Sequence, residues 1–356
     1  MQRASHSQIE TILQTIIIPY LEQDLLTAKV IKQIDIHAEK IFLKLHFNFS
    51  PLSFQDALIQ KIQQQIPHIT TEITWEVQVH AVERGLKNLN NVKNIIAVAS
   101  GKGGVGKSTT AINLALALAA DGAQVGILDA DIYGPNQPKM LGTSEQKATG
   151  GEKQLNPVVN YGIQSMSIGY LIEQDDTPIV WRGPMVTGAL LQLLNDTQWQ
   201  NLDYLIIDMP PGTGDIQLTL AQKVPVTAAI IVTTPQDIAL LDVKKAIRMF
   251  AKVNIPVLGV VENMAVHVCS QCGYSEHIFG SGGGQQIADQ YQTELLGQLP
   301  LDIKIRENAD NGKPLVYAEP TNPISEIYKN IARRMMAKLS LQQKNYRIKF
   351  PEIVIE

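Results

Sequence analysis

The stretch Gly101-Lys102-Gly103-Gly104-Val105-Gly106-Lys107-Ser108-Thr109 decides the fold of this chain. Residues 101–108 match the pattern G-x-x-x-x-G-K-[ST], with an apolar run at 95–99 before it and a helical pattern at 108–120 after it. Glycines here let backbone amides turn inward around phosphate oxygens, and the helix N-terminus adds partial positive charge. All nine residues are therefore predicted to bind a nucleotide, with Lys107 on the β- and γ-phosphates and the Ser108 hydroxyl on Mg²⁺.

Four further apolar runs follow the loop, at residues 125–128, 204–207, 228–232 and 257–261. Continuous apolar runs of this length suit strands buried on both faces of a parallel sheet, and their alternation with helical patterns indicates βαβ units. Such connections are right-handed in nearly all cases. We therefore predict an α/β fold with a doubly wound, mainly parallel sheet.

Acidic residues stand where two of these predicted strands end. Asp129 and Asp131 follow the run 125–128, and Asp208 follows the run 204–207. Because strand ends in an open α/β sheet face the ligand crevice, we expect Asp129 and Asp208 to hold Mg²⁺ together with Ser108. Asp131 is expected to orient the attacking water. Helix caps or surface turns are the alternative interpretation of these acids. Residues 210–215, rich in proline and glycine, predict a switch loop beside the γ-phosphate, or else a plain turn.

The chain has two cysteines, Cys269 and Cys272, spaced as C-x-x-C beyond the last apolar run. They are too few for a disulfide framework in a chain of this length. Thiolates suit zinc, copper(I) or iron–sulfur clusters, and four ligands are the usual number. Either His267 and His277 complete a zinc site within one chain, or two chains supply two cysteines each to a shared [4Fe-4S] cluster. A dithiol redox pair is a third interpretation, although the thioredoxin-type context is missing.

Residues 1–84 differ from the rest, because they contain neither a glycine nor a phosphate-loop pattern. Apolar residues at helical spacing from Ile9 to Ile16, an alternating strand at 40–49, a helix at 51–66 and a second strand region at 72–82 predict a small α+β domain. A linker is predicted at 85–93, the nucleotide-binding domain with the C-x-x-C metal loop at 94–342, and a C-terminal tail at 343–356.

The composition argues against several classes of protein. Of the 356 residues, 45% are hydrophobic and 18% are charged, as in an ordinary globular chain with a core. The formal net charge of -4 argues against phosphate-backbone binding as the main activity. No apolar run approaches 18 residues, and the first ten residues lack the apolar segment of a signal peptide. We expect a cytoplasmic protein that binds neither nucleic acid nor membrane.

The second lysine of the loop, Lys102, gives it a resemblance to the deviant Walker A motif of a large ATPase class. That class includes the nitrogenase iron protein and the septum-site and plasmid-partition ATPases. The resemblance implies an ATP-dependent homodimer in which Lys102 acts in catalysis on the partner's nucleotide, and it implies that Asn263 reads the adenine. A solvated lysine and a common turn asparagine are the alternatives.

Several segments together resemble the Mrp/ApbC family of iron–sulfur cluster carrier ATPases, from about residue 94 to about residue 340. They are residues 101–109, Leu-Asp-Ala-Asp-Ile-Tyr-Gly-Pro at 128–135, Val-Trp-Arg-Gly-Pro-Met at 180–185, Ile-Asp-Met-Pro-Pro-Gly-Thr-Gly-Asp at 207–215, Thr-Pro-Gln at 234–236, Glu-Asn-Met at 262–264, and the C-x-x-C. Residues 1–84 resemble, more weakly, a small domain related to other iron–sulfur assembly proteins.

The resemblance implies a homodimer that holds a [4Fe-4S] cluster through Cys269 and Cys272 and passes it to apo-proteins under the control of ATP and Mg²⁺. Cluster donors and apo iron–sulfur clients would be the partners. The first 84 residues contain no cysteine and should not hold a cluster themselves.

The alternative is a partition or septum-positioning ATPase switch with structural zinc at the C-x-x-C. Such proteins bind DNA or membranes, and the basic residues between Lys329 and Lys338 give this interpretation some support. In the same C-terminal region, however, one apolar stripe is formed by Ile324, Ile327, Tyr328, Ile331 and Met335. A stripe of this kind predicts a helix that packs on the core.

Overall fold

The computed structural model describes residues 5–37, 40–82, 86–151, 154–172 and 183–344. Residues 180–182 of the Val-Trp-Arg segment and residues 345–356 of the predicted tail lie outside the described part. The chain divides into two units, Met1–Gln78 with Met336–Gln342, and Val79–Met335 with the residues from Gln343 onward.

The first unit contains a three-stranded sheet in the order β1-β2-β3. Its strands are β1 (Ile31–His37), β2 (Lys40–Phe47) and β3 (Ile69–Trp75), and its helices are α1 (His6–Leu13) and α2 (Gln55–Gln65). β2 pairs antiparallel with β1 and parallel with β3. Alternate residues of β2 are buried, as the sequence predicts, and Phe47 packs edge-to-face on Phe54 at 5.7 Å between ring centroids. An α+β fold is therefore confirmed for this unit.

The structure of this unit differs from the sequence prediction at several points. The second predicted strand, at 72–82, lies instead at Ile69–Trp75. The prediction extended too far because apolar and polar residues continue to alternate after Trp75, where the chain has already left the sheet. β1 was not expected at all. The pairing register of β1 shifts between Ile31 and Gln33, and none of its residues is fully buried. Apolar and polar residues therefore do not alternate regularly along it, and the usual sequence signal of a strand is missing. The predicted helix at 51–66 begins later, at Gln55.

The second unit is organised around an eight-stranded sheet in the order β15-β12-β11-β4-β10-β5-β9-β8. The strands of this unit are β4 (Val92–Ala99), β5 (Val125–Asp129), β6 (Thr149–Gly151), β7 (Gln154–Asn156), β8 (Val158–Asn160), β9 (Ile163–Met166), β10 (Leu202–Asp208), β11 (Ala228–Thr233), β12 (Val257–Glu262), β13 (His267–Val268), β14 (Ser275–Glu276) and β15 (Leu295–Gln298). All pairings in the large sheet are parallel except that of β8 with β9. The five predicted strands are confirmed.

Helices connect these strands. They are α3 (Lys107–Ala120), α4 (Gln137–Met140), α5 (Gly183–Asp196), α6 (Asp215–Lys223), α7 (Asp237–Lys252), α8 (Gly283–Gln290), α9 (Ile303–Asp310), α10 (Leu315–Ala318) and α11 (Pro323–Ser340). Every residue of β5, β10 and β11 is buried, as expected for strands covered on both faces. β10 and β11 flank β4 on opposite sides. The loop after β4 therefore lies where the strand order reverses, which is where open α/β sheets bind ligands.

The apolar stripe of α11 packs in the interior. Tyr328, Ile331 and Met335 are each at most 1% exposed. Arg333, one of the basic residues of this helix, is paired with Asp121 at 2.9 Å and with Glu326. The core-packing prediction is therefore confirmed, and the stripe is not a membrane-binding face. Among the helices in the described part of the chain, none combines the length and apolar character needed to cross a bilayer.

Candidate nucleotide site and cysteine hairpin

The phosphate loop joins the end of β4 to the start of α3. Gly104 and Gly106 have φ angles of 81° and 82°, in the left-handed region that favours glycine. Gly106 caps α3, so the unpaired amides of the first helical turn point into the loop. A Cβ atom on Gly101 would lie only 2.4 Å from the backbone of Asp242, so this glycine permits close contact with α7.

Lys107 and Asp208 meet at the base of the loop. Lys107 Nζ pairs with Asp208 Oδ1 and contacts Ser108 Oγ at 3.2 Å. The side chains of Lys107 and Asp208 are 6% and 0% exposed. A buried carboxylate beside the loop lysine and the loop serine is the donor set that Mg²⁺ and a β/γ-phosphate require. The structure thus places three of the predicted site residues together.

Asp129 ends β5 rather than following it, and its carboxylate is buried. Oδ1 accepts a hydrogen bond from the Asp131 amide at 3.1 Å, and Oδ2 accepts from the Gln137 amide at 3.1 Å and from Ser167 Oγ at 3.2 Å. Burial, and secondarily the nearby charge of Asp208, raise the pKa of Asp129 to about 7. Asp129 is therefore held beside Asp208 in the same buried network.

The raised pKa of Asp129 predicts how the stability of the ligand-free protein depends on pH. The folded chain keeps a proton that the unfolded chain, with a pKa of about 4, has already lost. This contribution to stability is fully present below about pH 4 and is lost as the pH rises towards 7. The free energy of unfolding should fall by up to about 1.4 kcal/mol per pH unit across that window.

Denaturant unfolding in EDTA between pH 4.5 and 8 measures this dependence. Asp129→Asn should flatten it, whereas Asp196→Asn, at the partly exposed end of α5, should keep the wild-type slope. Equal slopes for the wild type and Asp129→Asn would contradict the prediction.

Asp131, the expected orienting residue for water, lies at the rim of the same crevice. It is partly exposed, and its pKa is raised by burial, against the opposing effect of Lys107. Lys102, the other catalytic candidate, is also partly exposed. Neither side chain is locked into the buried network, so both are accessible to a ligand or a partner.

The predicted switch loop at 210–215 is hydrogen-bonded to Ser100, the residue directly before the phosphate loop. The Gly212 amide donates to the carbonyl of Ser100 at 3.0 Å, and Gly212 has a φ of 98°. Gln217 of α6 donates to the carbonyl of Pro211. A change in the phosphate loop can therefore reach α6 through two hydrogen bonds.

Asn263 follows β12 and contacts the phosphate loop. Its Nδ2 donates to the carbonyl of Val105 at 2.9 Å, and it lies so close to Gly106 that a Cβ there would be 2.1 Å from Nδ2. In the structure Asn263 thus braces the loop. Its role in adenine recognition stays a prediction.

Sequence reasoning missed Gln137 and Ser167, which join the acidic residues. The Gln137 side chain donates to Asp208 Oδ2 at 2.8 Å and to the Ser108 carbonyl at 3.1 Å. Both residues are fully buried. One sequence signal was available, since Pro138 is typical of the first turn of a helix and marks the start of α4.

The cysteines lie in the turn of a two-stranded hairpin formed by β13 and β14. The Cys269 amide donates to the Tyr274 carbonyl at 2.9 Å, and the Gly273 amide donates to the Cys269 carbonyl at 2.9 Å. Hydrogen bonds from the backbone amides of Cys272 and Gln271, and then from the Cys272 thiol, lower the pKa of Cys269. The hairpin therefore points both sulfurs at one place and favours the thiolate of Cys269, the form that binds metals.

No third ligand joins the two sulfurs within the described residues, where no three His, Cys, Asp or Glu side chains gather closely enough to hold a metal ion. The ring of His277 is engaged elsewhere, with Nδ1 2.7 Å from the Ala265 carbonyl. The one-chain zinc site built from His267 and His277 therefore has no support in the structure. Cys272 is exposed and Cys269 partly exposed, as half of a shared site would require.

Comparison with known proteins shows which family this chain resembles. The ParA model described as "NUBPL iron-transfer P-loop NTPase" matches residues 91–336. An iron-sulfur cluster carrier protein of Escherichia coli is 50% identical over 331 residues, covering 91% of this chain and 89% of the relative. One of Pseudomonas fragi is 61% identical over 263 residues, covering 73% of this chain and 91% of the relative. The mouse iron-sulfur cluster transfer protein NUBPL is 45% identical over 281 residues, covering 78% and 88%.

Solved structures agree with the fold. A nucleotide-binding protein of Archaeoglobus fulgidus in complex with ADP is 38% identical, with a TM-score of 0.58, over 67% of this chain and 93% of that one. The cell division ATPase MinD of Pyrococcus furiosus, at 22% identity and a TM-score of 0.51, covers 68% and 98%. At this low identity, the similarity to MinD shows only that the two chains share a fold. The predicted doubly wound α/β architecture and the predicted family resemblance are both confirmed.

Proposed function

This chain belongs to the family of NUBPL-type iron-transfer P-loop NTPases, and we propose that it is an ATP-dependent carrier of [4Fe-4S] clusters. Two chains would hold the cargo between them and pass it to apo-proteins. One observation carries the proposal: two accessible thiols held in the turn of a hairpin, the pKa of Cys269 being lowered, without a third ligand among the described residues. Since a tetrahedral or cubane site takes four ligands, the pair is half of a site that a second copy completes.

Exposed apolar side chains lie where such a dimer needs contacts. Tyr274, 68% exposed, lies in the turn of the cysteine hairpin, and Ile278, 51% exposed, follows the hairpin. Ile238 and Leu241, 69% and 59% exposed, lie on α7 beside Asp242, which contacts the phosphate loop at Gly101. Apolar groups exposed at both places favour a partner surface over solvent. Lys102 lies on the same loop, in keeping with a role at the nucleotide of the partner.

The nucleotide site is built for hydrolysis of ATP. The loop amides and Lys107 bind the phosphates, and the Ser108 hydroxyl with the carboxylates of Asp208 and Asp129 would hold Mg²⁺. The ion fits these residues, because they offer it a partly buried hydroxyl oxygen and two buried carboxylates. When bound, Mg²⁺ neutralises charge that develops on the phosphates. Asp131, at the rim, would orient the attacking water.

The two sites are joined by a short, well-bonded segment. Asn263 is hydrogen-bonded to the phosphate loop, and Cys269 follows six residues later. Between them, the amide of Ala265 donates to Leu299 at 2.9 Å, while its carbonyl contacts His277 at the far end of the hairpin. We therefore propose that displacement of the phosphate loop by nucleotide is transmitted to the hairpin through residues 263–267.

Residues 1–84 would act in the exchange with cluster donors and clients, as a domain related to iron–sulfur assembly proteins. They do not hold the cluster, since both cysteines of the chain lie at 269 and 272.

Transfer itself is the test of this function. Protein loaded anaerobically with iron and sulfide is mixed with an apo-ferredoxin, and cluster arrival is followed by circular dichroism in the visible range. ATP with Mg²⁺ should change the rate several-fold compared with no nucleotide. The carrier proposal would be refuted if the apo-ferredoxin acquired its cluster no faster than from free iron and sulfide. The coupling would be refuted if ATP did not change the transfer rate.

His277→Ala should separate coupling from binding. The variant removes the hydrogen bond that ties the far end of the hairpin to residues 263–267, so the effect of ATP on transfer should fall by more than half while nucleotide affinity stays within about twofold. Glu276→Gln, in the adjacent exposed position of β14, is the matched control and should keep the full ATP effect. An undiminished ATP effect in His277→Ala would contradict the proposed route.

A further inference from the structure

Gln137 occupies a position in the nucleotide site that the phosphate-loop chemistry does not by itself explain. It is the first residue of α4 and is 0% exposed, although it is polar. Its backbone amide donates to Asp129, and its side-chain nitrogen donates to Asp208 and to the carbonyl of Ser108. One residue thus connects both predicted metal-binding carboxylates to the phosphate loop.

The orientation of the Gln137 amide follows from its neighbours. Nε2 faces two acceptors, Asp208 Oδ2 at 2.8 Å and the Ser108 carbonyl at 3.1 Å. The flipped amide would set an oxygen against two oxygens, which is electrostatically unfavourable. The nitrogen therefore points at Asp208, and the oxygen takes the remaining direction.

That amide oxygen is buried and has no hydrogen-bond partner in the described part of the chain. Leaving a buried acceptor unpaired costs about 1–3 kcal/mol, so such an atom calls for a specific reason. The surrounding groups Asp129, Asp208 and Ser108 offer oxygens that accept hydrogen bonds or bind cations. A hydrated cation would supply what is missing, because Mg²⁺ keeps several of its waters when it binds proteins and each bound water is a donor.

Asp208 needs a second support once a nucleotide binds. Its two oxygens are held by Lys107 and Gln137 respectively. When Lys107 turns to the phosphates, as the phosphate-loop chemistry requires, Gln137 is the donor that keeps the carboxylate in place. A ligating carboxylate is oriented by the group that hydrogen-bonds its other oxygen.

We propose that Gln137 is the positioning residue of the Mg²⁺ site, where its amide nitrogen orients Asp208 and its amide oxygen accepts a hydrogen bond from a water of the cation. The inference rests on the nucleotide site of the proposed function and deepens it. It makes Gln137 specific for the cation, because none of its contacts involves the groups that bind phosphate directly, the loop amides and the Lys107 ammonium.

Gln137→Leu tests this, since leucine fills a similar volume without either polar atom. Binding of a fluorescent ADP analogue is titrated at a series of Mg²⁺ concentrations and in EDTA, and Mn²⁺ binding is followed by electron paramagnetic resonance. The cation concentration for half-maximal effect should rise at least about tenfold, as for the loss of other groups that orient metal ligands. Affinity in EDTA should stay within about twofold.

The matched control is Gln164→Leu, because Gln164 of β9 also uses both ends of its amide, exchanging hydrogen bonds with the backbone of Gln200 at 2.9 Å. It should keep the wild-type cation dependence. Gln137→Asn, which retains the amide but is one methylene shorter, serves if the leucine variant does not fold, and should shift the dependence in the same direction.

An unchanged cation dependence in a folded Gln137 variant would overturn the inference while leaving the proposed function intact. So would an equal shift in Gln164→Leu. If the wild-type protein bound nucleotide with no need of a divalent cation, the nucleotide chemistry of the proposed function would fall as well.

Discussion

Lys107→Ala is expected to reduce ATP hydrolysis by at least about a hundredfold, because it removes the cation that faces the charge developing on the transferred phosphate. The ammonium is held at the base of the loop by Asp208 and Ser108, and no other described lysine occupies that position. Phosphate release with saturating Mg²⁺ and ATP measures the loss.

The same substitution leaves Asp208 buried without its cation. Breaking a buried pair in this way costs up to about 3–5 kcal/mol, an upper limit here because Asp208 keeps the Gln137 donor and can take up a proton. The variant should therefore fold, with native far-ultraviolet circular dichroism and a lowered melting temperature. Lys252→Ala, at the exposed last turn of α7, is the control that should leave both hydrolysis and melting unchanged. Hydrolysis within tenfold of the wild type in Lys107→Ala would contradict the assignment.

The Cys269→Ser, Cys272→Ser double variant is expected to lose cluster binding altogether. One four-iron cluster shared by two chains predicts about two iron atoms per chain in the reconstituted wild type. The double variant should show background iron and no charge-transfer absorbance in the visible range, since the hydroxyl of serine is a poor ligand for iron of this kind. The measurement is the iron and sulfide content per chain after anaerobic reconstitution. Analytical sedimentation determines how many chains share the cluster.

Ser270→Ala is the control for the cysteine experiment, because it changes the same turn without touching a sulfur. It should retain the full iron content. Full iron uptake by the double variant would refute the site, and bound zinc without visible absorbance in the wild type would favour a structural metal. A particle that stays a single chain when loaded with cluster and ATP would refute the shared arrangement.

The sheet and the phosphate loop could be predicted because their signals are local. Strands such as Leu202–Asp208 are buried on both faces, so their residues are apolar in a continuous run that is visible in sequence. Gly106 needs its positive φ to cap α3, and the spacing from Gly101 to Ser108 is fixed by the loop itself. The same reasoning failed for Ile31–His37, where a register shift breaks the alternation that marks a strand.

The acids at the strand ends were predicted as individual residues, and the structure adds how they are connected. Asp129 and Asp208 lie on neighbouring parallel strands in register with each other, as expected for carboxyl ends at one edge of a sheet. Gln137 could not be assigned from sequence, because its partners Asp208 and Ser108 are 71 and 29 residues away. Asn263 likewise contacts Val105 across 158 residues.

The sequence by itself determined the fold class, the phosphate loop and the choice of the two cysteines as candidate metal ligands, since each depends on residue types at short, fixed spacing. Only the tertiary structure decided that no third ligand among the described residues joins the thiols, that His277 contacts the Ala265 carbonyl instead, and that Gln137 spans two carboxylates. Those outcomes depend on which distant side chains the packed sheet brings within about 3 Å of one another, and hydrogen bonds form only at that range.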